Sequence, residues 1–75
     1  MKKEKELPMY SSIREHIYGK SRGYHISIDE LAACTGRIVR GTLHTRLREP
    51  GEFRLCELVA IANKLNMSMA ELLGL

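Results

Sequence analysis

Four arginines, Arg37, Arg40, Arg46 and Arg48, fall within a stretch that contains no carboxylate, with Gly41, Thr42, His44 and Thr45 between them. A guanidinium presents its donors in a planar fork that fits a phosphate or the O6 and N7 edge of guanine. Arginines interleaved with small and hydroxyl residues therefore point to a polyanion, some fixing its backbone and others meeting base edges. An exposed, solvated charged surface needs no more than the same residues, so the elements that carry them decide between the two.

Other chemistries fit less well. His16, His25 and His44 with Cys34 and Cys56 offer metal-ligand types, but their spacings match no zinc pattern, and no metal is expected. There is no Ser-His-Asp arrangement, no glycine-rich phosphate loop and no enclosed carboxylate pair. A 75-residue chain also leaves little volume for a substrate pocket. An enzyme is therefore not expected, and neither a cofactor nor a small-molecule substrate is implied.

Net charge is +3, and its distribution says more than its size. Lys20, Arg22, Arg37, Arg40, Arg46 and Arg48 against Asp29 and Glu30 leave residues 20–48 at +4; Arg54 and Lys64 against Glu49, Glu52, Glu57 and Glu71 leave residues 49–75 at −2. A domain polarised in this way can turn one positive face to a polyanion. Apolar runs are too short to span a bilayer, and no membrane association is expected. The start, Met-Lys-Lys-Glu-Lys-Glu, carries no secretory signal, which leads to a cytoplasmic expectation. Cys34 and Cys56 are then expected as buried free thiols, with a Cys34–Cys56 disulfide as the alternative. The four methionines read as gap-filling core residues and Tyr10, Tyr18 and Tyr24 as core edges.

The elements that must position these residues are all helical. Residues 1–7 read as a flexible tail and 8–75 as one domain. Pro8 suits the first turn of a helix whose stripe is Met9, Ile13 and Ile17, ended by Gly19 and Gly23. Ser27 and Glu30 form a capping box before a short helix that Gly36 stops. A third helix spans Arg40 to Arg48, with Leu43 and Leu47 facing inward and Pro50-Gly51 breaking it. The fourth shows Leu55, Leu58, Val59, Ala62 and Leu65 on one stripe, closed by Asn66. A second capping box, Ser68 and Glu71, opens a short fifth helix. The expected core is Leu31, Leu43, Leu47, Phe53, Leu58, Ile61, Ala62 and Leu72.

The second and third helices are joined by a very short turn containing glycine, which is the pattern of a helix-turn-helix. Ala32 is small where the two helices cross, Gly36 can take positive φ, and Ile38 plugs the turn into the core. At these residues the chain resembles a known family. IDELAACTGRIVRGTLHTRLREPGEFRLCELVAIANKLNMSMAELL looks like the Cro and lambda-repressor-type (xenobiotic response element type) helix-turn-helix domains of phages and bacteria. The resemblance covers residues about 26 to 73 and rests on Leu31-Ala32, Gly36, Thr42-Leu43, Pro50-Gly51-Glu52-Phe53 and Leu65-Asn66-Met67-Ser68.

The resemblance implies a five-helix, lambda-repressor-like bundle whose third helix enters the major groove of double-stranded DNA, as in a transcriptional regulator. It implies base contacts from Arg40 and Gly41, with Thr45 one turn on. It implies backbone contacts near Ser27, Ile28, Thr42 and Arg46. Arg40 is the candidate for guanine, and Arg37, Arg46 and Arg48 are the candidates for phosphates, Arg46 having Glu49 or Glu52 as an alternative partner. The stretch from Gly36 to Thr42 is one residue longer than the family pattern, which can turn the helix by up to ~100° and bring His44 and Thr45 to the base edges. Val39 and Arg54 stand where the family has capping residues. A homodimer is expected, since two-fold symmetry would pair two half-sites, with Met69 to Leu75 as its surface. The alternative is a protein-interaction module on the same fold that does not bind DNA. RNA reading lacks the exposed aromatic residues it would use.

Overall fold

The computed structural model describes residues 7–75; the expected flexible tail, residues 1–7, lies outside the described residues but for Leu7. The described residues form five α-helices and no strand: α1 (Pro8–Gly23), α2 (Ile28–Thr35), α3 (Arg40–Arg48), α4 (Leu55–Lys64) and α5 (Met69–Leu73), with a 3-10 turn at Pro50–Glu52 between α3 and α4. None of these helices is long and apolar enough to cross a membrane.

Helix boundaries follow local chemistry. Pro8 opens α1 with its φ already near the helical value. The helix runs through Gly19 and ends at Gly23 as expected, though the left-handed residue that closes it is His25, at φ 58°, rather than a glycine. Ile26 N–H then reaches back to the Ser21 carbonyl at 2.8 Å, so the last turn is satisfied without glycine. Both expected capping boxes are present. Ser27 accepts from Glu30 N–H at 3.0 Å while Ser27 N–H donates to Glu30 at 2.9 Å, and Ser68 and Glu71 repeat the exchange. Gly36 ends α2 at φ 74° and Asn66 ends α4 at φ 58°, both left-handed as the sequence suggests.

One core joins all five helices. α2 packs on α4, α1 packs on α5, and α3 lies against α2, α1 and the 3-10 turn. Ile13, Ile17, Leu31, Leu43, Leu47, Ile61, Leu65 and Leu72 are fully buried. Gly51 sits under Tyr10 of α1, where a Cβ would stand 2.6 Å from the tyrosine hydroxyl and force that ring to shift.

Several expected placements are corrected. The buried face of α4 is Glu57, Leu58, Ile61, Ala62 and Leu65, which leaves Leu55 and Val59 exposed; the helix is turned by roughly 60° from the expected stripe, at 100° per residue. Met9 is exposed, and Tyr24, at 47% exposure, stands clear of the core edge that Tyr18 occupies. Phe53 is half-buried against the core rather than inside it. Both cysteines are free, but Cys56 is exposed and Cys34 only half-buried, its thiol directed at the Ala60 carbonyl at 3.7 Å. Burial pushes the Cys34 thiol up, with the charge of Lys64 opposing. Of the expected dimer surface, Leu72 is buried and Met69 and Leu73 pack against the core, so Leu75 is its one large apolar side chain left exposed.

Candidate nucleic-acid interface

α3 begins at Arg40, and a four-residue connection, residues 36–39, separates it from α2. Leu43 and Leu47 point into the core. At 100° per residue, Arg40, His44, Arg48, Gly41 and Thr45 then occupy an arc of roughly 140° that starts beside Leu47 at Arg40 and reaches the side opposite the core at Thr45. Arg40, Gly41, Thr45 and Arg48 are exposed and His44 is half-buried. The sequence-predicted base-reading set, Arg40, Gly41, His44 and Thr45, is therefore contiguous around α3, with Arg40 and His44 nearer the core side and Gly41 and Thr45 facing away from it, and no residue of α3 is acidic.

Local contacts shape that face without closing it. Arg40 Nη1 lies 3.8 Å from Asp29 on α2, with both side chains about two-thirds exposed, so the pair is weak and separable. Thr45 donates its hydroxyl to the Gly41 carbonyl at 3.2 Å, which leaves its oxygen lone pairs outward. Nothing stands within 4 Å of a Cβ built on Gly41, so the backbone of α3 is open to solvent there. Val39 is extended and makes no side-chain cap, as its type dictates. Thr42 is half-buried at the side of the helix.

The residues expected at phosphates divide. Arg48 is exposed, with no side-chain partner among the described residues, and Arg37 is half-exposed in the connection before α3. Arg46 is placed differently. Its Nε donates to Glu57 Oε1 at 3.0 Å and its Nη2 to Oε2 at 3.4 Å, in a pair whose carboxylate is wholly buried. Its partner is on α4, not Glu49 or Glu52, and its guanidinium is engaged inside the fold. At the start of α2, the capping box occupies the N–H and an acceptor of Ser27, and Asp29 and Glu30 put two carboxylates beside it. Ile28 packs against the core. That end of α2 presents a mixed field to an anion, unlike the outward face of α3.

Two contributors were missed by sequence reasoning. Arg14 on α1 donates from Nε to the Leu47 carbonyl at 2.8 Å and from Nη2 to the Arg48 carbonyl at 3.3 Å. A cation on the last carbonyls of a helix satisfies orphan acceptors and complements the helix dipole. Glu57 is the other. Burial acts to raise its pKa, but hydrogen bonds from Arg46 and from Arg54 N–H, with the charges of Arg46 and Arg37, outweigh burial and hold the carboxyl below its ordinary value. The same hydrogen bond raises the pKa of Arg46 against the effect of its own burial. A glutamate three residues into α4 was a readable capping signal, but the side chain before the helix is Arg54, which cannot accept a hydrogen bond.

Comparison with protein-family models, with curated proteins and with solved structures finds no match to this chain.

Proposed function

We propose that the chain is a helix-turn-helix domain that binds double-stranded DNA with sequence preference, α2 and α3 forming the motif and α3 lying in the major groove. The observation that carries this reading is the outward arc of α3, where Arg40, Gly41, His44, Thr45 and Arg48 stand together without a carboxylate on that helix. A nine-residue helix fits a groove about 12 Å wide, and its N-terminal residues would lie nearest the base edges. Arg40 then reads a guanine, Gly41 lets the helix backbone approach, and His44 and Thr45 offer hydrogen bonds one turn on. Arg37 and Arg48 hold phosphates on either side. Arg46 supports α3 from behind rather than contacting DNA. The role follows that of the phage and bacterial regulators the sequence resembles, with which a cytoplasmic location is consistent. Two copies acting together would read a two-fold site.

Selection of binding sites from random duplex DNA tests this. An enriched motif with a guanine whose preference is lost in Arg40→Ala supports the assignment; a palindrome with half-sites about one helical turn apart supports the dimer. The exposed Leu55 and Val59 of α4 favour a second reading, a protein-interaction module on the same fold. A pool with no enriched sequence, from a protein that binds no duplex even at low salt, decides for that second reading.

A further inference from the structure

We propose that Glu57 is a positioning residue of the interface: its buried carboxylate holds the Nε edge of Arg37 and thereby aims the terminal nitrogens of Arg37 at a DNA phosphate. The inference rests on the DNA reading above and assigns to that site a residue from outside the helix-turn-helix.

The geometry has three parts. The carboxylate is itself fixed, since Oε1 accepts from Arg46 Nε at 3.0 Å and from Arg54 N–H at 3.0 Å, and Oε2 accepts from Arg46 Nη2 at 3.4 Å. Oε2 then lies 3.7 Å from Nε of Arg37. Glu57 is 0% exposed whereas the side chain of Arg37 is 47% exposed, so the acid is inside and the second cation spans from it to the surface. Arg46 alone balances the charge of Glu57. Arg37 is surplus to that balance, and the three groups together carry +1. The Nη groups of Arg37 make no hydrogen bond within the described residues, and no other described group holds its side chain.

Arg37 also sits where its aim matters. It belongs to the connection between α2 and α3, so no helix restrains its long side chain, and its backbone N–H is fixed by Thr35 Oγ1 at 3.2 Å. An arginine free to rotate loses conformational entropy when it takes a phosphate, and one whose Nε edge is drawn to a fixed, buried carboxylate, here across an ion-pair distance of 3.7 Å rather than a hydrogen bond, loses less. Lysine, a point charge without a second edge, cannot be held and donate outward in the same way.

The sign of the expected effect separates this role from simple electrostatics. A carboxylate beside a polyanion repels it, so neutralising Glu57 without further consequence should tighten DNA binding. Positioning predicts the reverse. Wild type, Arg37→Ala, Arg37→Lys, Glu57→Gln and the double variant Arg37→Ala/Glu57→Gln are titrated with one labelled duplex at several salt concentrations, with helicity checked by circular dichroism. Glu57→Gln is expected to bind more weakly than wild type, and Arg37→Ala to lower the salt slope by about one, the value of one phosphate contact. In the Glu57→Gln background the further loss from Arg37→Ala should be smaller than in wild type by about twofold or more, the least that contacting residues show. Arg37→Lys, which leaves Glu57 in place and folding unperturbed, should lose affinity despite keeping its charge. Tighter binding by Glu57→Gln, additive losses, or an Arg37→Lys protein equal to wild type would each overturn the proposal while leaving DNA binding intact. Should Glu57→Gln fail to fold, the Arg37→Lys comparison alone decides. A wild-type protein that binds no duplex at the lowest salt overturns the DNA reading, and this inference with it.

Discussion

Val39 and Gly41 stand on either side of Arg40, and each departs from what a helix start prefers. Val39 occupies the position where Ser, Thr, Asp or Asn would accept a hydrogen bond from the first turn, and it is 69% exposed. Val39→Ser should therefore stabilise the fold by about 1 kcal/mol, read as a rise in Tm. Gly41 lies within α3, where glycine costs roughly 0.5–1 kcal/mol relative to alanine, and a Cβ there meets nothing within 4 Å. Gly41→Ala should accordingly raise Tm while weakening DNA binding, because the added methyl stands between the helix backbone and the groove. An alanine variant that gains stability and keeps full affinity would show that α3 does not approach DNA at that residue. At this scale the sequence was informative where chemistry is local: Ser27 and Glu30, Gly36 and Asn66 all declare their roles within a few residues. The partner of Arg46 was not legible for the opposite reason. Nearness along the chain favoured Glu49 and Glu52, whereas the acid that binds it is eleven residues away on another helix.

α3 is not self-sufficient as a helix and, unlike α2 and α5, begins without a side-chain cap. It has nine residues, and only Leu43 and Leu47 anchor it in the core, so alone it would be marginal as a helix. Arg14 at its C-terminus and the Arg46–Glu57 pair at its inner side supply what propensity does not. Removing Arg46 leaves the buried Glu57 charge with only the longer contact to Arg37 and the Arg54 N–H, so Arg46→Met should cost up to about 3–5 kcal/mol in thermal or denaturant unfolding. The pH dependence follows from Glu57, whose pKa is lowered in the folded protein. Its stabilisation is complete above the ordinary glutamate value of about 4.3 and is lost as pH falls through the lower, folded-state value. Acid unfolding of the wild type should thus be steeper below about pH 4 than that of Glu57→Gln. The same buried pair explains why the stripe on α4 was misjudged. Leu55, Leu58, Val59, Ala62 and Leu65 make a good amphipathic pattern, but Glu57, paired with Arg46, is buried beside Ile61 while Leu55 and Val59 are exposed. A pattern of apolar residues cannot announce an acid that is buried because a distant cation requires it.

The described residues have a radius of gyration of 11.9 Å, close to the ~11 Å of a compact chain of this length. α3 packs through Leu43 and Leu47 into the core shared by all five helices, and on the proposed reading the affinity for duplex DNA should respond to salt as a phosphate-binding surface does. That response tests the central claim most directly. Wild-type protein is titrated with labelled duplex over a range of salt concentrations, beside Arg40→Ala. Binding should weaken linearly in log–log form with a slope of about −0.9 for each phosphate held. On the preferred sequence, Arg40→Ala should lose roughly 1–3 kcal/mol, while its binding to unrelated duplex changes far less. Absence of duplex binding at the lowest salt would contradict the account, and so would an affinity that does not change with salt.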